Sequence, residues 1–322
     1  ILYNVRSERE LMNTLSMRLD WLWFLDYDLD SEIPNHSVLS KARNRWGVEA
    51  FQRFFERIVW QCVEAGLVDG SKIFMDSSLV QADASNNSVI NVNKEALKIH
   101  LVRGFNELES RLEDKGNSEE NHEPKSGTAN RNHVSTTDPD ASVTSQGAGK
   151  PKLQYKTHRS LEAQAEIITA TEVTPGEVNE AHLLSTLLAM HQDNTQKPAD
   201  TVVADTKYGT VENYLACCDL GINAHIPDLK KSQQERESRR GIFTEDAFRY
   251  DPNTDTYRCP AGQCLKRRNY NPKRDAYEYK CSAKVCLTCH LVNQCTASKS
   301  GRSLKRHRRQ EDLHRMRKAA QS

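Results

Sequence analysis

Two acids and a group of cysteines stand out by type and by surroundings. Asp76 follows the apolar run Ile73-Phe74-Met75, which itself follows Asp69-Gly70, a strong turn signal. The segment therefore reads as a buried strand that ends in an acid. Asp205 closes a second run of this kind, Thr201-Val202-Val203-Ala204, and is followed by Lys207-Tyr208-Gly209. A carboxylate at the end of a buried strand is costly to desolvate unless a metal or a cation offsets the cost. Two such acids meet if their strands are neighbours in one sheet, and two carboxylates together suit a divalent metal. Taken singly, each Asp also reads as a cap for the turn or helix that follows it.

The cysteines suggest a second kind of site. Six of the nine fall between Cys259 and Cys295. In a chain without a visible signal peptide, that clustering argues for metal over disulfides. Cys259-Pro260-Ala261-Gly262 opens a turn, Cys286-x-x-Cys289 is a knuckle, and Cys295 follows. Thiolates at this spacing can close a tetrahedral zinc site. Cys264 and Cys281 are extra, and either can substitute. Reduced free thiols and an iron–sulfur cluster are the alternatives.

The elements that must hold these residues follow from periodicity. Ser7-Glu8-Arg9-Glu10 is a capping box, and Leu11, Leu15, Leu19 and Leu22 keep one helical face after it. Pro34 stops that pattern. A further helix begins near His36 with Lys41, Arg43 and Arg45 on a basic side. The run Phe51, Phe54, Phe55, Ile58, Val59 and Cys62 has helical spacing up to Gly66. Residues 1–68 are thus expected to be a helical domain, and its basic cluster is either a nucleic-acid contact or a solvated face. Beyond the Asp76 strand, Leu97, Leu101, Phe105, Leu108 and Leu112 predict a helix over 93–114. Residues 114–152 are poor in apolar side chains and rich in Gly, Asn, Ser and charge, which reads as a mobile linker. Strands are expected over 153–158, 167–173, 202–203 and 222–226, and helices over 178–190 and 209–218. Such an alternation gives an α/β sheet with helices on its faces, and ligands of such sheets sit at strand carboxyl ends.

The totals set limits. The chain has 322 residues, 37 % hydrophobic and 28 % charged, with a net charge of +1. No run of about 18 apolar residues exists, so no membrane span is expected. The chain begins at Ile1, so its true start is expected to lie upstream. Residues 299–322 hold nine Lys or Arg against two acids. A phosphate backbone responds to such a local excess and not to the total.

Several blocks together resemble one family. Met75-Asp76-Ser77-Ser78-Leu79-Val80-Gln81-Ala82-Asp83-Ala84-Ser85, Tyr155-Lys156-Thr157-His158, Ala170-Thr171-Glu172-Val173-Thr174-Pro175-Gly176 and Val203-Ala204-Asp205-Thr206-Lys207-Tyr208-Gly209 are similar to blocks of bacterial insertion-sequence transposases of the DDE type, in an IS-four-like clan. Pro34-Asn35-His36, Leu39-Ser40-Lys41-Ala42-Arg43 and Ser135-Thr136-Thr137-Asp138-Pro139-Asp140 extend the resemblance. It implies a ribonuclease-H-like α/β core over 69–234, an N-terminal helical domain that binds transposon ends, a Cys-rich insertion over 235–300, and a basic segment over 301–322. It implies Asp76 and Asp205 as the first two catalytic acids on Mg²⁺ (or Mn²⁺), with strand cleavage and transfer as the reaction. The family's cysteine pattern selects Cys259, Cys286, Cys289 and Cys295 for a structural Zn²⁺.

Lys156, Lys207, Arg306, Arg308 and Arg309 become candidates for DNA contact, beside Lys41, Arg43 and Arg45. His158 and His182 fall in the same blocks and are candidates for touching phosphate or for structural hydrogen bonds. The third acid, a Glu, is not found. Arg308-Arg309-Gln310-Glu311-Asp312-Leu313 resembles the segment before the helix that carries it, so the chain is expected to stop short of that Glu and to be inactive alone. The implied partners are double-stranded DNA, as transposon ends and target, and a second copy of the chain; the implied location is cytoplasmic, with the nucleoid. The rival readings are a non-catalytic DNA-binding remnant and a metal-dependent nuclease on the same core.

Overall fold

The computed structural model describes residues 7–91, 130, 133–145, 149–229 and 241–320. The chain divides into two compact units, Ile1–Ala65 and Gly66–Ser322. The helix expected over 93–114 lies outside the described residues, as does much of the expected linker. Among the described residues no helix is long and apolar enough to cross a membrane.

The first unit is helical. Helix α1 (Glu8–Leu15) is capped by Ser7, whose side chain accepts from the Glu10 amide at 3.1 Å. The single face expected from Leu11 to Leu22 is broken into α1 and α2 (Leu19–Phe24), because Arg18 turns extended and pairs with Asp20. Helix α3 (Ser37–Glu64) is kinked at Gly47, whose φ of 72° is left-handed and interrupts the helical hydrogen bonding. The unit buries few side chains, chiefly Leu15, Leu22 and Val59, while Trp23 is 82 % exposed.

The second unit holds two sheets. The first is built on β1 (Lys72–Gln81), β4 (Ser142–Thr144), β5 (Lys152–Glu162), β6 (Ile168–Pro175), β7 (Thr201–Ala204) and β8 (Asn223–His225). Its order is β4-β5-β1-β7-β8, with β6 on β5. Strand β5 runs antiparallel to β1, β4 and β6, whereas β1, β7 and β8 run parallel to one another. Parallel neighbours need a crossover, supplied here by α4 (Leu184–Thr195) and α5 (Val211–Asp219). This mixed α/β arrangement is a ribonuclease-H-like core. Alternation along β1 sends Ile73 and Met75 into an apolar cluster with Val202, Ala204, Leu184, Leu187, Tyr208 and Tyr214. Helix α8 (Gln310–Ala319) adds Leu313 and Met316 to the same cluster.

Part of the expected linker is structured. Strand β3 (His133–Ser135) pairs with β2 (Val89–Asn91), and β4 pairs with the start of β5. The small side chains of Ala82 and Ala141 close a satellite core around Leu153 there. A composition window over this stretch misses that core, because the stretch supplies only Ala141 to its buried members while Ala82 and Leu153 come from outside.

The second sheet is antiparallel throughout, in the order β13-β12-β11-β10-β9. It comprises β9 (Arg249–Asp251), β10 (Thr256–Arg258), β11 (Cys264–Asn271), β12 (Ala276–Lys280) and β13 (Ser303–His307). Two short helices, α6 (Ala283–Leu287) and α7 (Val292–Cys295), fill the connection between β12 and β13. Its core is Phe248, Leu265, Tyr279, Cys281 and Leu304.

Candidate active site

Asp76 is not at a strand end. It lies inside β1, which continues to Gln81 because β5 is its antiparallel partner from Ile73 to Gln81. What ends near Asp76 is the parallel pairing on the other edge. Strand β7 pairs with β1 in the register Ile73 with Val202 and Met75 with Ala204. The next position on each strand is therefore an acid: Asp76 on β1, Asp205 just past β7. Neighbouring strands lie about 4.8 Å apart, so the two carboxylates start from adjacent backbone. Both acids are exposed. Asp205 also caps the turn Thr206–Tyr208, accepting from the Lys207 amide at 2.9 Å. The cap reading therefore holds for Asp205, whose carboxylate stays exposed.

Gly209 keeps the Asp205 loop in place. A Cβ there would sit 2.1 Å from the Pro227 carbonyl oxygen and 2.9 Å from the Leu229 amide nitrogen. No side chain fits that gap without moving the backbone.

A buried acid that sequence reasoning passed over organises the lysines. Glu180 is 5 % exposed and lies in the turn Glu180–Leu183 before α4. One carboxylate oxygen accepts from Lys156 Nζ at 2.7 Å, and the other from Lys207 Nζ at 2.6 Å. Burial pushes the Glu180 carboxyl up, but hydrogen bonds from Lys156 and Lys207 outweigh this and hold it below its ordinary value. Lys156 also donates to the Val178 carbonyl at 2.7 Å, so its ammonium is committed inside the fold. Lys207 differs, with a side chain 66 % exposed. The hydrogen bond to Glu180 raises the Lys207 pKa, and Asp205 and Asp76 raise it further, so this ammonium sits in the field of three acids.

On the core face, one residue from Asp76, Ser77 Oγ lies 2.7 Å from His158 Nδ1 and 2.8 Å from the Tyr208 hydroxyl. His158 Nε2 is 2.9 Å from Thr174 Oγ1, which itself donates to the Pro175 carbonyl. Thr174 having used its proton, His158 Nε2–H donates to it. His158 Nδ1 then accepts from Ser77, and Ser77 accepts from Tyr208. Burial, and next Lys156, push the His158 pKa down to about 4, which keeps the ring in the neutral form this order requires. His158 is therefore a buried hydrogen-bonded residue, whereas His182 is exposed. On the opposite face Arg159, the cross-strand partner of Asp76, donates to Ser78 Oγ at 2.8 Å.

The structure brings the cysteines together as well. Cys259, Cys281, Cys286, Cys289 and Cys295 line one cavity, while Cys264 is exposed. Burial raises the Cys295 thiol, and the neighbouring Cys259, Cys286 and Cys289 raise it further. Burial, and then Cys286, push Cys281 up to about 11. Backbone amides of Gln263 and Leu291 lie 3.3 Å and 3.4 Å from the sulfurs of Cys259 and Cys289. The donors suit zinc in kind. As they stand, no group of three or more His, Cys, Asp or Glu among the described residues forms a ready metal site, and this covers the acid pair too.

The basic segment is largely engaged internally. Arg306 stacks 3.8 Å from the Tyr250 ring centroid, pairs with Glu311 at 2.5 Å, and has a side chain only 13 % exposed. Arg309 binds both oxygens of Asp219 and also Asp312. Arg308 is exposed and 3.6 Å from Asp275. In the first unit Lys41, Arg43 and Arg45 are exposed, with Arg43 paired to Glu8.

Two family models match the chain. Residues 1–45 match one described as a transposase domain (DUF772), and residues 125–310, more than half of the chain, match the transposase DDE domain. The chain belongs to the DDE transposase family. Asp205, Glu180 and the cysteine cavity of this transposase lie within the second match, and Asp76 lies between the two. No curated protein and no solved structure matches the chain. Sequence reading missed Glu180, Ser77 and Tyr208. Their signal was position only: Ser77 and Tyr208 flank the two acids, and Glu180 becomes meaningful once strand order puts Lys156 and Lys207 beside it.

Proposed function

We propose that the chain carries the cleavage and transfer chemistry of DNA transposition at Asp76 and Asp205. The observation behind this reading is the β1–β7 register, which sets two exposed acids at adjacent positions, Asp76 inside β1 where the parallel pairing ends and Asp205 just past β7. Two carboxylates fit Mg²⁺ or Mn²⁺ by oxygen donors. A divalent cation bound there would polarise the phosphate and favour attack by a hydroxyl. Asp76 and Asp205 supply the negative charge that holds it. Lys207, exposed and tethered by Glu180, faces the same space and suits a non-bridging phosphate oxygen. Lys41, Arg43, Arg45 and Arg308 are the exposed cations suited to double-stranded DNA, as transposon ends and target. We place Lys156, Arg306 and Arg309 in support of the fold. The reading extends to a homodimer on DNA, in the cytoplasm with the nucleoid.

The cysteine cavity is proposed as a structural zinc site of Cys259, Cys286, Cys289 and Cys295, with Cys281 as the adjoining thiol. Its role is to join the β10–β11 turn to the α6–α7 connection.

The test uses DNA that carries the element's ends and a version of the protein that also supplies the third acid expected from the sequence. Asp76→Asn and Asp205→Asn should each lower Mg²⁺-dependent strand cleavage by about a thousandfold or more while end binding persists, since several kcal/mol of charge stabilisation is lost. Cleavage by either variant at the unmodified rate removes that residue from the site. Cleavage without strand joining favours the nuclease reading, and binding without cleavage by that version, otherwise unmodified, favours the non-catalytic one.

A further inference from the structure

Below the two acids runs a hydrogen-bonded chain that the proposed chemistry does not use. Ser77 follows Asp76 directly, and Tyr208 comes three residues after Asp205. The 2.8 Å contact between their hydroxyls therefore ties the two acid-bearing segments to each other by side chains, where the β1–β7 backbone pairing has ended. Ser77 is fixed in turn by His158 on β5, and His158 by Thr174 on β6. His158 and Tyr208 are fully buried, so neither hydroxyl nor ring has water as an alternative partner.

We propose that Ser77, Tyr208 and His158 are positioning residues that set the separation of Asp76 and Asp205 and so the affinity of the pair for a divalent cation. The inference rests on the reading of that pair as the cation site. The physical argument is preorganisation. Asp205 sits on a loop beyond its strand, where backbone pairing no longer holds it, and the Tyr208–Ser77 bond replaces that pairing. Without it, binding a cation must also order the loop, and affinity falls. A network of this kind gains from being complete, so losing one member should weaken the rest.

The experiment is Mn²⁺ binding to the full chain, followed by water proton relaxation, with thermal unfolding recorded on every variant. Tyr208→Phe removes one hydroxyl and keeps the ring. It should weaken Mn²⁺ binding about fivefold, the effect of one hydrogen bond. Ser77→Ala and His158→Gln should weaken it at least as much, and Ser77→Thr, which keeps the hydroxyl, should restore it. Tyr214→Phe is the control. Its hydroxyl is buried in the same core and donates to the Ile226 carbonyl at 2.6 Å, yet links neither acid. That variant should lose comparable stability with Mn²⁺ affinity unchanged. If Asp76→Asn abolishes Mn²⁺ binding while Tyr208→Phe and Ser77→Ala bind as the unmodified chain does, the positioning role is overturned and the cation site stands. Equal weakening by Tyr208→Phe and Tyr214→Phe also overturns it, because general loosening then explains both. If Asp76→Asn binds Mn²⁺ normally, the cation site itself is wrong.

Discussion

The acid pair and the cysteine cavity lie in the same compact unit but are assembled in opposite ways. Asp76 and Asp205 are 129 residues apart in the numbering and start from adjacent backbone because two strands adopt one parallel register. Of the cysteines from Cys259 to Cys295, all but Cys264 line one cavity, most of them brought there by short turns and two short helices. The first site stands on a large apolar core, with Ile73 and Val202 fully buried beneath it. The second has a small core whose partly buried members include Cys259, Cys286 and Cys295 themselves. A site built on a core keeps its shape without its ligand. A site whose ligands are its core depends on the ligand for stability.

The largest expected effect would come from zinc. Chelation, or Cys286→Ser, should unfold or loosen the second sheet while Mn²⁺ binding at the acid pair persists. Cys264→Ser, at an exposed thiol outside the cavity, should change neither. Zinc analysis with thermal unfolding checks this, and a second sheet equally stable in metal-free protein would erase the contrast.

Next comes Glu180→Gln, which leaves the Lys156 ammonium without its buried partner. The expected loss is about 3 kcal/mol, read by denaturant unfolding. The carboxyl is lowered in the fold, so its contribution is full above the unfolded value of about 4.3 and disappears as pH falls through the folded value. The variant should therefore flatten the acid limb of the stability curve. An acid limb unchanged from the parent would mean that Glu180 does not hold the lysines.

Legibility differed between the two regions for the same reason that their stability should. The cysteine cluster was readable because its contacts are local, although the fifth thiol, Cys281, joined the cavity through strand pairing that spacing does not encode. The two acids were readable as strand-associated residues, but β1 proved longer than its apolar run. Its outer half is held by β5 and not by its own hydrophobicity. Glu180 falls in the stretch expected to be an ordinary helix, 178–190, and lies in the turn before α4. Nothing near it in the sequence says that lysines from β5 and from the Asp205 loop converge on it. The basic segment is the least legible, since charge counting cannot see Tyr250 or Asp219 waiting across the fold.

Arg306→Ala should cost about 1–2 kcal/mol through the lost stacking on Tyr250 and the lost pairing with Glu311. The salt dependence of DNA binding should hardly change. A drop of about 0.9 in the slope of log affinity against log salt would instead make Arg306 a phosphate contact. The smallest effect should come from Lys207→Ala, which should show that drop of about 0.9 with little loss of stability. An unchanged slope would leave Lys207 facing water.

We propose that the β1–β7 register makes Asp76 and Asp205 one cation site. Mn²⁺ titration of the chain, Asp76→Asn, Asp205→Asn and the double variant tests it directly. If both acids hold the same ion, each single variant loses nearly all high-affinity binding and the double variant loses no more. Additive losses, or a single variant that binds as the unmodified chain does, would mean that the two acids do not share an ion.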